Sequence, residues 1–282
     1  MTTSADRITA LGGSTVQHGP LSNRVYLMHL DPDDCPQIVD VLDDLARRRG
    51  YTKVFAKVPA REKRYFLRRG YRQEAVVPGF FAGREDGAFL GKYLCPRRRE
   101  PADPAELASV VRAARAKAAA PRRAPALPPG LTLACPGPEH VEAMAALYAR
   151  VFASYPFPIH DPAYLRRAME LGVVFMGAWR GAELVGLASA EPDYAARNVE
   201  MTDFAVLPRQ RGLALARHLL RALEAEMARR GVDLFYTIAR GASYGMNVTF
   251  ARQGYQFAGT LVNNTHIAGG IESMNVWYRR RA

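Results

Sequence analysis

Apolar residues recur along this chain with two periods, and each period marks a different kind of element. Over Pro36–Arg49, Ile38, Val41, Leu42 and Leu45 fall on one helical stripe; arginines fill the last turn and Gly50 follows, so a helix stops there. Strands are expected before and after it, at Arg24–Leu30 and Tyr51–Val58. A second helix begins after Pro59 and ends at Gly70, and a β-rich stretch covers Val76–Tyr93. The second half opens with a strand at Leu131–Ala134 and a helix from Pro138 to about Phe152, with Val141, Met144, Tyr148 and Val151 as its buried face. A hairpin follows, Val173–Trp179 and Glu183–Glu191 about a turn at Arg180–Gly181. The strand Val199–Val206 then runs through a Pro208 turn into a long helix to Arg230, with Leu215, Leu219, Leu220, Leu223 and Met227 at helical spacing and Gly231 beyond its end. A strand at Leu234–Ala239, a helix over Ser243–Gln253 and two strands separated by Asn263–Gly270 complete the pattern of a mixed α/β layer fold.

Between the halves, Pro96–Gly130 is rich in Ala, Arg and Pro and has few large apolar residues, the composition of a linker with a short helix over Ala105–Ala119. The expected organisation is a flexible lead-in at 1–20, an α/β unit at 21–95, a linker at 96–130 and a larger α/β domain at 131–282. One segment repeats: Phe66-Leu-Arg-Arg-Gly70-Tyr71 closes a strand–helix unit in the first half, as Phe250-Ala-Arg-Gln-Gly254-Tyr255 does in the second.

Composition narrows the class. The 282 residues, 49% hydrophobic and 23% charged, suffice for packed cores and exclude a disordered or low-complexity chain. No apolar run is long enough for a membrane span and the N-terminus has no signal-peptide core, so a cytoplasmic location is expected. Cys35, Cys95 and Cys135 are scattered and odd in number, and the six histidines show no ligand spacing, so neither a disulfide framework nor a metal site is indicated. The 39 basic and 27 acidic residues leave +12, which by itself suggests a polyanionic partner. Distribution weakens that suggestion: residues 124–278 hold 13 basic and 13 acidic residues, whereas 97–123 hold 8 and 3. A non-catalytic nucleic-acid-binding protein stays as an alternative on charge alone.

The segment Val206-Leu-Pro208-Arg-Gln-Arg211-Gly212-Leu-Ala214-Leu-Ala216 is where a strand turns into an amphipathic helix. Such a helix end offers unpaired N–H groups and a positive dipole to a phosphate, and small residues at 212, 214 and 216 let it approach the backbone. The same residues also suit a helix start chosen for packing.

This segment resembles the acetyl-CoA-binding signature of the GNAT acetyltransferase superfamily, a strand ending V-x-P followed by R-G-x-G-x-G/A, with Ala214 at the middle glycine. Strand and helix order make the resemblance cover 131–282, with 21–95 as a degenerate partial copy. Within the superfamily the chain resembles the β-lysine N-acetyltransferases, through Tyr51-Thr-Lys-Val-Phe-Ala-Lys57, Glu74-Ala-Val-Val-Pro-Gly79-Phe-Phe, Met201-Thr-Asp-Phe-Ala205, Gly245-Met-Asn247 and Gly270-Ile-Glu-Ser-Met-Asn-Val-Trp277-Tyr.

The resemblance implies acetyl transfer from acetyl-CoA to the terminal amine of β-lysine, forming a compatible solute, with a lysine 2,3-aminomutase supplying the substrate and no metal or nucleic acid involved; another small amine (lysine, a polyamine, an aminoglycoside) is the alternative, and a homodimer is left open. An alkyl ammonium must lose a proton before it can attack. Glu200, sharing strand parity with Thr202 and Phe204, is the first candidate base, and Asp203, on the opposite parity unless a bulge turns it, is the second. Phe204, Ala205 and Val206 are expected to align the thioester, and Arg211, Gly212, Leu213, Ala214, Leu215 and Ala216 to hold the pyrophosphate. The superfamily's usual acid, a tyrosine four residues before the helix-ending glycine, is Phe250 here, which leaves Tyr244, Tyr236 or water. For the substrate's ammonium, Glu74, Asn247, Glu272 and Asn275 are candidates together with Asn264; for its carboxylate, Lys53, Lys57, Arg72 and Arg240.

Overall fold

The computed structural model describes residues 6–118 and 126–281. In the first half the chain forms β1 (Arg7–Leu11), β2 (Ser14–Gly19), β3 (Arg24–His29), α1 (Ile38–Arg49), β4 (Lys53–Pro59), α2 (Lys63–Leu67), β5 (Arg72–Phe81) and β6 (Glu85–Tyr93). Helix α3 (Pro104–Ala118) leads to β7 (Leu131–Ala134), α4 (Val141–Val151), α5 (Pro162–Glu170), β8 (Val174–Arg180), β9 (Glu183–Asp193) and β10 (Asn198–Val206). There follow α6 (Leu215–Arg229), β11 (Leu234–Arg240), α7 (Tyr244–Arg252), β12 (Gln256–Ile267) and β13 (Gly270–Arg280). The expected stop of α1 is present: Gly50 takes φ +67° and its N–H reaches back to the carbonyls of Ala46 and Arg47.

All thirteen strands join one mixed sheet, ordered β1-β2-β3-β4-β6-β5-β12-β13-β11-β10-β9-β8-β7. The order carries a repeat. From β1 to β6 and from β8 to β13 the same arrangement occurs: three antiparallel strands, a parallel step (β3 to β4, β10 to β11), then two antiparallel strands. The echo at Gly70-Tyr71 and Gly254-Tyr255 therefore belongs to a repeat of whole topology.

The halves meet edge to edge where β5 lies antiparallel to β12, Gly259 facing Ala75. Close approach requires the glycine: a Cβ at Gly259 would stand 2.0 Å from the Glu74 carbonyl oxygen, and its φ is +152°. An aromatic cluster covers the junction, with Tyr26, Phe55, Phe80 and Phe89 from the first half packed with Tyr236, Leu261, Met274 and Val276 from the second. Phe80 meets Tyr236 edge-on at 4.9 Å between centroids.

Two boundaries differ from expectation. Within the lead-in at 1–20, residues 1–5 lie outside the described residues, but 7–19 form the β1–β2 hairpin, with Ser14 and Val16 fully buried. Its short, polar strands carry too few apolar positions to show a period, and burial comes from β3 beside them. Within the linker at 96–130, residues 119–125 lie outside the described residues; α3 packs on α7 with Val110 and Ala114 buried. Arg98, too, is buried, donating to the carbonyls of Ser22 and Asn263 and to Thr52 Oγ1, so its charge serves to tie the two halves together.

Candidate active site

β10 and β11 are hydrogen-bonded neighbours only at their start, Asn198–Glu200 facing Leu234–Tyr236. Beyond Glu200 the two strands separate. A bulge between Thr202 and Ala205 adds to the divergence, with Asp203 at φ +55°. The gap opens into a cavity of about 950 Å³ that runs from the loop after β10 to the first half of the chain.

At the loop end, Pro208–Gln210 forms a single 3-10 turn, Gly212 stands at φ +86° and α6 begins after Ala214. Nothing lies within 4 Å of the position a Gly212 side chain would take, so backbone conformation requires glycine there and the space beside it is open. The first helical bonds are donated by Arg217 and His218 to the Ala214 carbonyl, which leaves the amides at 212–216 ahead of the helical ladder. Arg211, Gly212, Ala214, Leu215 and Ala216 line the cavity, as do Phe204 and Val206. Ala205 and Leu213 pack into the core instead, a correction to the expected cradle. This end has the open backbone and dipole that a pyrophosphate requires. Ala214 adopts the left-handed conformation (φ +54°, ψ +25°) in which the superfamily signature has glycine.

At the far end, Glu200 lies directly across from Glu191 in the β9–β10 register, and both line the cavity with Asp203. Lys57 reaches in from the first half, donating to the Tyr236 hydroxyl at 2.9 Å. Burial holds the Glu200 carboxyl above the ordinary range; Lys57 and a hydrogen bond from Tyr236 oppose the shift, and Asp203 adds to it. Asp203 is raised as well, by burial, although Ser189 Oγ (2.5 Å), Tyr155 and Thr202 all donate to it. Having spent its acceptor sites on hydroxyls, Asp203 is the less available base. The bulge rotated it inward, against its strand parity. Glu191 is pushed up to about 8, first by the enclosing protein and then by the charges of Asp203 and Glu200. Its side chain is open to the cavity, so a ligand can reach it.

The remaining assignments divide. Tyr244 lies outside the cavity lining, half exposed at the start of α7, with the Lys117 ammonium 5.4 Å from its ring centroid; it is withdrawn as an acid. Phe250 does line the cavity and meets Phe204 edge-on, so this wall presents no hydroxyl at the usual position. Tyr236 remains, buried and held in its neutral form well above its ordinary pKa, chiefly by desolvation.

None of the four expected substrate residues Glu74, Asn247, Glu272 and Asn275 lines the cavity. Glu74 pairs with Lys53 at 2.8 Å and accepts from the Val262 amide. Asn247 receives Asn275 Nδ2 and Trp277 Nε1, each at 2.8 Å, while its own amide bonds the carbonyls of Arg240 and Ser243. Glu272 is paired with Arg240. These are polar groups that satisfy one another inside a sheet. Lys57, Arg240 and Asn264 do reach the cavity, whereas Lys53 and Arg72 do not. Sequence reasoning missed Glu191, Tyr155 and Ser189, and it missed Arg24 and Tyr26 from β3; the one available signal for Glu191 was a charge ending an apolar strand. Among the described residues no group of three or more His, Cys, Asp or Glu is placed to hold a metal.

Residues 141–255 match the Acetyltransferase (GNAT) family model. Over 274 residues the chain is 33% identical to the beta-lysine N(6)-acetyltransferase of Methanococcus maripaludis, covering 97% of this chain and 98% of that protein. It is 40% identical over 153 residues to the beta-lysine N(6)-acetyltransferase of Methanosarcina mazei (54% of this chain, 56% of the other). With the N-acetyltransferase YodP of Bacillus subtilis it shares 28% identity over 267 residues, 95% of this chain and 96% of the other. The family match takes in the β10 turn, and the longest likeness also takes in the half that carries Arg24 and Lys57. The chain thus belongs to the GNAT acetyltransferase family, in the group of the β-lysine N-acetyltransferases, and is an acyltransferase of the kind that uses acetyl-CoA.

Proposed function

We propose that this enzyme acetylates the terminal amine of β-lysine, giving N-acetyl-β-lysine as a compatible solute. The observation that carries the reading is the pairing, in one cavity, of an anion cradle at α6 with three carboxylates, Glu191, Glu200 and Asp203, set among Lys57 and Arg24. A diamino acid bears two ammonium groups and one carboxylate, and this end of the cavity offers the complementary signs. A lysine 2,3-aminomutase reaction would supply the substrate.

Acetyl-CoA supplies the activated acyl group as a thioester. The residues 211–216 would hold its pyrophosphate, and the backbone after the β10 bulge would donate to the carbonyl oxygen as charge develops. Glu200, with its carboxyl pKa raised by burial, is matched to take the proton from the ammonium. Tyr236, bonded to both Glu200 and Lys57, keeps that carboxylate turned toward the cavity.

The test is thiol release from acetyl-CoA with β-lysine set against α-lysine, polyamines and an aminoglycoside, with the acetylated nitrogen located by NMR. Turnover on β-lysine at N6, at least tenfold above the others in kcat/KM, is expected. Equal rates across the panel would overturn the substrate assignment.

A further inference from the structure

Arg24 is a buried cation that makes no direct ion pair among the described residues, Asp6 and Glu200 acting on its charge only from beyond contact. It is 3% exposed and lines the cavity. Its Nη1 donates to the Asn264 carbonyl and Thr265 Oγ1, both at 2.8 Å, and its Nη2 to Gln17 Oε1 at 3.3 Å; each of these acceptors is neutral. The Nε–H has no acceptor. Its plane lies against the rings of Tyr26 (5.0 Å) and Phe55 (5.9 Å), which fix its position and exclude water. Although burial lowers its pKa to about 10, the guanidinium stays charged at neutral pH. A buried charge with only distant compensation is costly, and the cost falls when a ligand brings an anion into contact. Beside it, Asn264 is 1% exposed, also lines the cavity, and its Oδ1 has no donor.

Position in the repeat adds a second reason. Arg24 precedes Pro32 by eight residues on β3, as Glu200 precedes Pro208 by eight on β10. Each strand carries a bulge before its proline, at Leu27–His29 and at Thr202–Ala205. The first half thus turns toward the shared cavity, from the corresponding place, a residue of opposite charge.

We infer that Arg24 and Asn264 form the seat for the substrate's amino-acid head, Arg24 taking the carboxylate and Asn264 Oδ1 the neighbouring ammonium, while the terminal amine extends to Glu200. This rests on the reading of the substrate as a β-amino acid carrying a second, terminal amine. It gives the N-terminal half a direct part in specificity.

Three acceptors separate the contributions: β-lysine, pentane-1,4-diamine, which lacks the carboxylate, and 6-aminohexanoate, which lacks the neighbouring ammonium. The wild-type enzyme should prefer β-lysine to the diamine by about 100-fold in kcat/KM, the scale of a lost charge-assisted pair. Arg24→Gln should lower kcat/KM on β-lysine by a similar factor beyond any loss on the diamine, mainly through KM, so that the preference for β-lysine over the diamine falls to within about threefold. Asn264→Ala should erase the preference for β-lysine over 6-aminohexanoate and leave the carboxylate preference in place. Wild-type enzyme that turns over β-lysine and the diamine equally well would overturn the head site without any variant, as would an Arg24→Gln enzyme that loses both acceptors alike while still binding acetyl-CoA with wild-type affinity. Failure of the wild type on β-lysine, with turnover of another amine, would instead remove the substrate reading, and the same with-and-without-carboxylate pair built on that amine would then test Arg24.

Discussion

Leu30-Asp-Pro32-Asp-Asp34 and Val206-Leu-Pro208-Arg-Gln210 stand at the same place in the two halves. Each follows the strand that makes the parallel step, each turns through one 3-10 segment, and each leads to a helix. Only the second has the open backbone that a phosphate cradle needs. β3 stays paired with β4 over Arg24–Leu27, whereas β10 leaves β11 after Glu200, so only one gap admits a ligand. The first turn is acidic, and Asp34 already accepts from the Ser14 amide (2.8 Å) and hydroxyl (2.6 Å). A phosphate would meet carboxylates there. The difference shows that topology alone does not make a nucleotide site: the strands must part and the helix end must stay vacant and uncharged or basic.

The largest expected effect breaks the comparison at its catalytic end. Glu200→Gln should lower kcat by about a thousandfold, the range for loss of a general base, with acetyl-CoA affinity unchanged and partial recovery as pH approaches the amine's own pKa. Steady-state thiol release measures it, and unchanged kcat would remove Glu200 from the role. Next, Gly212→Val should weaken acetyl-CoA binding by about tenfold, because a β-branched residue is strained at φ +86°. Asp33→Ala in the first turn should change nothing, and calorimetry should find one acetyl-CoA per chain; a second site would end the distinction between the halves.

A smaller effect concerns pH. Glu191 loses its proton near pH 8, so kcat/KM for β-lysine should rise further through that pH as a second negative charge develops beside Glu200, and Glu191→Gln should blunt the rise. Stability moves the other way. With its folded pKa raised from 4.5, Glu191 leaves the folded state most stable at acid pH, and stability relative to Glu191→Gln should fall as pH climbs from 4.5 through about 8, as thermal melts across pH would report. The smallest effect is at Ala214: Ala214→Gly should relieve left-handed strain and raise stability by about 1 kcal/mol, a few degrees in Tm.

Where a feature depends on local spacing, the sequence was a sufficient guide. The stripe of α6, the stop at Gly50, the Pro208 turn and the position of Glu200 all follow from neighbours in the chain. Features set by strand register did not. Glu191 faces Glu200 only because β9 and β10 pair at that offset, and Asp203 turns inward only because a bulge breaks the parity. Asn247 and Asn275 are candidates for the substrate's ammonium by sequence, yet they bond each other across α7 and β13. Arg24 and Lys57 enter the site from β3 and β4, far from Glu200 in the chain, so no window of sequence joins them.

The seam at Gly259 has a consequence for synthesis. β5 is the outer strand of the first half until β12 takes its place beside it, and β12 is synthesised long after β5. Throughout elongation the growing chain therefore carries an open β-edge, and closing it is a long-range event of the slow kind. A fragment ending before β12 would expose that edge permanently, which makes premature termination a route to aggregation for this protein.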